Sequence, residues 1–142
     1  NSPLMYDIVR FEADRSSELA VLNRLLIVDE GHSNSMSEGE LEKRMGQWLG
    51  SEYESYGIEQ EGKIICYSLW RDDGEFHYMR QLYTVPAFRR RGIAKSLVLN
   101  LVENRYSNKP VRLDVLAGNS DARIFYEKIG FQIYCNTMIR KS

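Results

Sequence analysis

Between Glu75 and Val115 the residue pattern changes period twice, and this constrains the fold more than any other part of the chain. Glu75 to Val85 reads as one extended run, and it stops at Pro86, which has no N–H to give to a sheet ladder. Ile93, Ala94, Leu97, Val98, Leu101 and Val102 then recur at the spacing of one helical face, predicting a helix over 92–105. Pro110 restarts the chain, and Val111, Leu113 and Val115 alternate as a strand over 111–116 should. Strand, helix and strand in that order imply a parallel, right-handed crossover.

The remaining elements follow from the same reasoning. Tyr6, Ile8 and Val9 predict a first strand, Met5–Phe11. Leu19, Val21, Leu22, Leu25, Leu26 and Val28 form a helical stripe over 14–30, broken by Gly31-His32-Ser33-Asn34-Ser35. Ser37 and Glu40 have capping-box spacing, so a second helix runs to Leu49 with Leu41, Met45 and Trp48 inward. Two strands, 53–59 and 63–71, meet at Glu61-Gly62, and the Ile64-Ile65-Cys66-Tyr67 run suggests burial on both faces. Asp72-Asp73-Gly74 is a turn signal. Residues 120–129 read as helix with Gly130 as a left-handed stop, and a last strand is expected over 131–140. The order βααβββαβαβ gives an α/β (α+β) fold, a mixed central sheet with helices on both faces.

Arg89-Arg90-Arg91-Gly92-Ile93-Ala94 occupies the turn between strand and helix. The first N–H groups of a helix have no partner inside it, and the helix dipole adds partial positive charge there. Gly92 has no Cβ, so an anion can approach the backbone closely. The segment therefore predicts a site for a ligand that carries pyrophosphate. It supplies neither G-x-x-x-x-G-K-[ST] nor three glycines in G-x-G-x-x-G, the two common nucleotide signatures.

Arg89, Gly92 and Ala94 instead fill the defined places of R/Q-x-x-G-x-G/A, and that pattern resembles the acetyl-CoA motif of the GCN5-related N-acetyltransferases, the GNAT superfamily. Leu82 to Phe88 is similar to the end of that family's fourth strand and its loop. Asn119 to Phe131 is similar to its N-x-x-A-x-x-F-Y-x-x-x-G-F signature. The close resemblance covers 75–135. Residues 1–74 agree in length and pattern only.

The resemblance implies an acetyl-CoA-dependent N-acetyltransferase that moves an acetyl group directly to a primary amine of a small molecule or peptide. It implies pyrophosphate held by the backbone of Arg90, Arg91, Gly92, Ile93, Ala94 and Lys95, with Arg89 bracing the loop. The pantetheine arm would pair with the backbone of Tyr83, Thr84 and Val85, provided that strands 75–85 and 111–116 splay apart. An oxyanion donor is expected near Thr84 and Val85. Asn119 and Phe125 join the cofactor set, although Asn119 equally suits a helix N-cap. Tyr126 is the expected general acid for the departing thiolate, and a core aromatic is its competing role. The base is open. The family's carboxylate position falls at or near Tyr78, so Glu75, His77, Glu59 and a water chain are the candidates. A non-catalytic acyl-CoA-binding module is the alternative function.

Composition limits the rest. The chain has 142 residues, which suits one domain over 1–142 with its own core. A net charge of −1 argues against a nucleic-acid footprint. No apolar run approaches ~20 residues, so no membrane span is expected, and without a signal peptide the location reads as cytoplasmic. Two histidines and two scattered cysteines give no metal-ligand spacing, and Cys66 and Cys135 read as buried thiols in strands. Asp29, Glu30, Glu38, Glu40 and Glu42 offer an acidic rim to a cationic amine, while solvated carboxylates explain them as well. Trp48, Tyr53, Tyr56 and Trp70 fit either an aromatic pocket or a core. A homodimer is left open, with the last strand as a pairing edge.

Overall fold

A computed structural model describes residues 6–31 and 33–142. The elements run β1 (Val9–Phe11), α1 (Ser16–Glu30), α2 (Glu38–Leu49), β2 (Tyr53–Gln60), β3 (Lys63–Asp72), β4 (His77–Thr84), α3 (Ile93–Asn104), β5 (Val111–Arg112) and α4 (Ser120–Lys128). One sheet has the order β1-β2-β3-β4-β5. Its first three pairings are antiparallel, and β4 pairs β5 in parallel, as the two changes of period require. The expected first strand is shortened to Val9–Phe11, and its Met5 end, like His32 in the α1–α2 break, lies outside the described residues.

The α2 start is a complete capping box. Ser37 Oγ accepts from Glu40 N–H at 3.1 Å, and Glu40 accepts from Ser37 N–H at 2.9 Å. Gly31 ends α1 at φ +69, a left-handed value that glycine adopts without the Cβ penalty. Side chains of the sheet sort into two cores. Tyr67, Leu69 and Tyr83 pack with Leu19, Leu22 and Leu26 of α1 and Met45 of α2. Ile58, Cys66, Trp70 and Met79 pack with Leu97, Val98 and Leu101 of α3 on the other face. β3 is buried on both sides, which explains its unbroken apolar run.

Two irregularities position the site. Leu69 opposes Gln81 while Trp70 opposes Met79, so Arg80 is an extra residue that bulges β4. Beyond that, β5 is shorter than the expected 111–116. It pairs only at His77↔Val111 and Tyr78↔Arg112, then leaves β4. Residues 113–115 still alternate between half-buried and exposed, which is the pattern the sequence displays, but they have no ladder partner. Tyr78 donates to Asp114 Oδ2 at 2.7 Å and holds the departing chain.

The last strand, expected over 131–140, is not formed. A strand needs an edge to join, and the two-residue β5 leaves almost none. Ile133, Tyr134, Met138 and Ile139 are consequently exposed. Cys135 is exposed as well, contrary to the expected buried thiol, whereas Cys66 is fully buried in β3.

Candidate active site

The departure of β5 leaves the outer edge of β4 open from Met79 to Thr84. Val85 N–H donates to Ile65 O at 2.9 Å, so that pair faces β3. Hydrogen-bonded pairs alternate along an antiparallel ladder. Thr84, opposite Cys66, therefore turns its backbone N–H and C=O toward the open edge. Tyr83 and Val85 turn theirs to β3. Of the three residues expected to pair with an extended amide chain, the pleat offers the backbone of Thr84.

The loop after β4 is bent by a short turn at Pro86–Phe88 and by two left-handed residues, Arg90 (φ +65) and Gly92 (φ +75). Successive turns of this kind aim backbone N–H groups into a concavity. Gly92 is the N-cap of α3 and accepts from Ser96 N–H at 3.0 Å. A Cβ built at Gly92 meets nothing within 4 Å, so the space in front of the helix is open. Ile93 is buried and anchors the first turn in the α3 core, while Arg90, Arg91 and Lys95 are exposed around it. The Arg91 guanidinium lies 4.9 Å from the Phe88 ring centre. Arg89 ties the loop down: its Nε donates to Thr84 O at 2.8 Å and its Nη2 pairs with Asp29 at 2.7 Å.

A cleft of about 440 Å³ lies beside this loop's anchor. Val28, Asp29, Glu30 and Gly31 line one side and Leu116, Gly118 and Asn119 the other. Asn119 Oδ1 accepts from Ala122 N–H at 3.2 Å, so the helix-cap role is realised at the cleft wall. Phe125 and Tyr126 meet edge to face at 5.1 Å, and Tyr126 meets Phe131 at 5.6 Å. Burial, then the charge of Glu30, then Cys66 raise the Tyr126 phenol well above its ordinary value. It therefore carries its proton at neutral pH.

Two other expected residues lie elsewhere. His77 is buried at the start of β4, with Nε2 2.8 Å from Asn108 Oδ1 and its ring 4.9 Å from that of Tyr106. It stands seven residues before Thr84, about 23 Å along an extended strand. Glu75 is exposed in the turn before it. Neither reaches the cleft. Glu59 is held by Arg15 at 2.8 Å. The acidic rim is also partly committed, because Asp29 pairs with Arg89 and Glu40 caps α2. Of the four aromatics, Trp70 is core, stacked 4.1 Å from Tyr106.

Several polar residues near the bulge escaped the sequence reading. Tyr67 donates to Gln81 Oε1 at 2.8 Å, and Gln81 Nε2 donates to Asn23 Oδ1 at 3.1 Å, all buried between α1 and β4. A signal existed: Asn23 interrupts the apolar face set by Leu19 and Leu26.

A family model described as an acetyltransferase (GNAT) domain matches residues 51–133. Solved structures agree on the fold. A ribosomal-protein-alanine N-acetyltransferase from Brucella melitensis biovar Abortus 2308 is 17% identical, with a TM-score of 0.74 over 96% of this chain and 99% of that one. An aminoglycoside N-acetyltransferase in complex with CoA is 14% identical, with a TM-score of 0.77 over 100% and 99%. A protein from Clostridium acetobutylicum described as a predicted acetyltransferase, solved with acetyl-CoA, is 21% identical, with a TM-score of 0.77 over 96% of each chain. No curated protein matches the sequence.

Proposed function

Because the chain belongs to the GNAT acetyltransferase family, we propose that it transfers an acetyl group from acetyl-CoA to a primary amine, with the cofactor lying across the open edge of β4. One observation supports this above the others: the bulged strand, its unpaired edge and the left-handed Arg90–Gly92 loop converge on Thr84. The fit to the cofactor is physical. A pyrophosphate needs oriented N–H groups and unobstructed backbone, and the α3 N-terminus has both. An amide-rich arm needs an accessible strand edge, and Thr84 turns its N–H to one.

In this reading Arg89 fixes the loop, and the N–H groups of residues 90–95 hold the diphosphate. Acetyl-CoA supplies a thioester carbonyl to the amine and a thiolate as leaving group. The Thr84 N–H faces the edge where negative charge on the carbonyl oxygen would develop. Tyr126, kept neutral by its surroundings, donates its proton to the thiolate. Glu30 lines the cleft and its charge is felt at Tyr126, so it takes the amine proton directly or through water. Asn119 borders the same space, Phe125 packs on Tyr126, and a cytoplasmic location is part of the proposal.

Amine-dependent release of free CoA from acetyl-CoA tests the reading. Release with at least one primary amine, lost in Tyr126→Phe and reduced in Glu30→Gln, is the expected result. Binding of acetyl-CoA without release for any amine class would favour a binding module instead.

A further inference from the structure

Two arginines share one tryptophan on the α1/α2 side of the sheet. The Arg44 guanidinium carbon is 4.2 Å from the Trp48 ring centre, and that of Arg80 is 4.7 Å from the same centre. The two guanidinium carbons are therefore no more than about 9 Å apart, about one Debye length. Arg71, nearby, has its counter-charge in Asp73. Arg44 and Arg80 have no carboxylate partner among the described residues. Arg44 Nε is buried without a hydrogen bond. Arg80 Nη1 reaches only the Tyr53 hydroxyl, at 3.3 Å, which already takes Arg71 Nη1 at 2.5 Å.

Such an arrangement is costly on its own. Burial first, and the charge of Arg80 second, lower the Arg44 pKa. An oxyanion bound by both would offset the burial and the like-charge repulsion, because a guanidinium fork matches carboxylate or phosphate oxygens. The location supports a substrate role. Arg80 is the extra residue of the β4 bulge, and bulges re-aim side chains next to active sites. It lies four residues before Thr84, about 13 Å along the strand, on the stretch that β5 leaves open.

We propose that the acceptor amine also carries an oxyanionic group, carboxylate or phosphate, and that Arg44 and Arg80 bind that group on the Trp48 ring. This rests on the acetyltransferase reading and names its substrate class. An acceptor of this kind is bipolar: its amine end meets the cleft at Glu30, and its anionic end lies toward the bulge. Purely cationic amines satisfy the first contact and are repelled by the second.

Matched amines test it. The series runs from glycine to 6-aminohexanoate, each against its carboxamide, with phosphoethanolamine against ethanolamine and spermidine as the polycation. The charged member of at least one pair should exceed its neutral partner by about tenfold or more in kcat/KM for CoA release. Arg80→Ala, at an exposed position, should erase that preference through KM with kcat unchanged, and Arg44→Gln should do the same. The pair that responds separates carboxylate from phosphate. Equal or better turnover of neutral amines or spermidine by the wild-type protein would overturn the inference.

Thermal unfolding gives a readout that needs no turnover. With CoA present, an N-acetylated acid from the series should raise the wild-type Tm while its carboxamide does not, and Arg80→Ala should remove the difference. Equal shifts, or none for either compound, would overturn the inference. Stabilisation by acetyl-CoA alone separates the two ideas. Its absence in the wild type sinks the acetyltransferase reading, whereas its presence without acid–amide discrimination sinks only this one.

Discussion

Arg89 Nε donates to the carbonyl of Thr84 at 2.8 Å, joining the last residue of β4 to the loop that follows it. Its other end pairs with Asp29 at the end of α1. One side chain thus links the strand edge, the loop before α3 and the cleft wall. Both members of the ion pair are more than a third exposed, so its net contribution to folding is small, below about 1 kcal/mol. Arg89→Ala should therefore leave Tm within a few degrees while raising the Kd for CoA about tenfold, equal to ~1.4 kcal/mol. Calorimetric titration alongside thermal unfolding checks both halves. A large Tm loss with unchanged CoA affinity would make Arg89 a folding residue only.

Tyr126→Phe should lower kcat by about 100-fold or more and leave the CoA Kd within a factor of about three. The sign of the pH effect follows from the raised phenol. A proton donor whose pKa lies above 10.0 stays competent through the neutral range, so no alkaline fall in wild-type kcat should come from Tyr126 below pH 10. A wild-type kcat falling off near pH 8 that disappears in the Phe variant would contradict this.

Gly57 sits in β2 between β1 and β3, and a Cβ there would lie 2.1 Å from the Cys66 carbonyl and 2.6 Å from Phe11. Backbone cannot move aside as a flexible side chain can. Gly57→Ala should cost about 3 kcal/mol or more, a Tm loss of about 10 °C in a chain of this size. Differential scanning calorimetry would show it, and a Tm within two or three degrees of wild type would refute the clash.

Glu54 accepts from Arg105 Nε at 2.8 Å and Nη2 at 2.9 Å, and from the Tyr106 hydroxyl at 2.7 Å. Burial alone would raise its pKa, but the Arg105 and Tyr106 hydrogen bonds outweigh it and the net shift is downward from 4.5. A depressed folded pKa contributes stability that is present above the unfolded value and lost as pH falls through the folded one. Glu54→Gln should be less stable than wild type at pH 7, by about 1 kcal/mol. The gap should close as pH drops below 4.5. Urea titrations across that range measure it, and a gap that does not change with pH would assign the loss to packing.

Features decided by local chemistry were legible in the sequence. The Ser37–Glu40 box, the apolar face of α3 and the Asp72–Gly74 turn each carry their own signal, and each is formed. The turn into α3 was legible for the same reason, since Gly92 marks the helix start. Features that depend on partners were not. The alternation of Val111, Leu113 and Val115 reports burial, and it says nothing about whether a neighbouring strand is within reach. Hence the pattern overextends β5 and suggests a strand at 131–140 beside a β5 of only two residues. The Arg80 bulge was also invisible, because it arises from a mismatch between two strands. So was the meeting of Arg80 with Arg44 on one ring, which joins β4 to α2 across the fold. His77 fits a base by residue type alone, and only the folded strand places it with Asn108, far from the cleft.

The most direct test of the central claim is titration of acetyl-CoA into the wild-type protein and into Gly92→Glu. The experiment is run at a temperature where both are folded by circular dichroism. The α3 N-terminus is open at Gly92, and a glutamate would place both bulk and negative charge there. The account predicts one acetyl-CoA per wild-type chain and affinity weakened by about 100-fold or more in the variant, ~2.7 kcal/mol. Equal affinity in the two proteins, or no binding by a well-folded wild type, would contradict it.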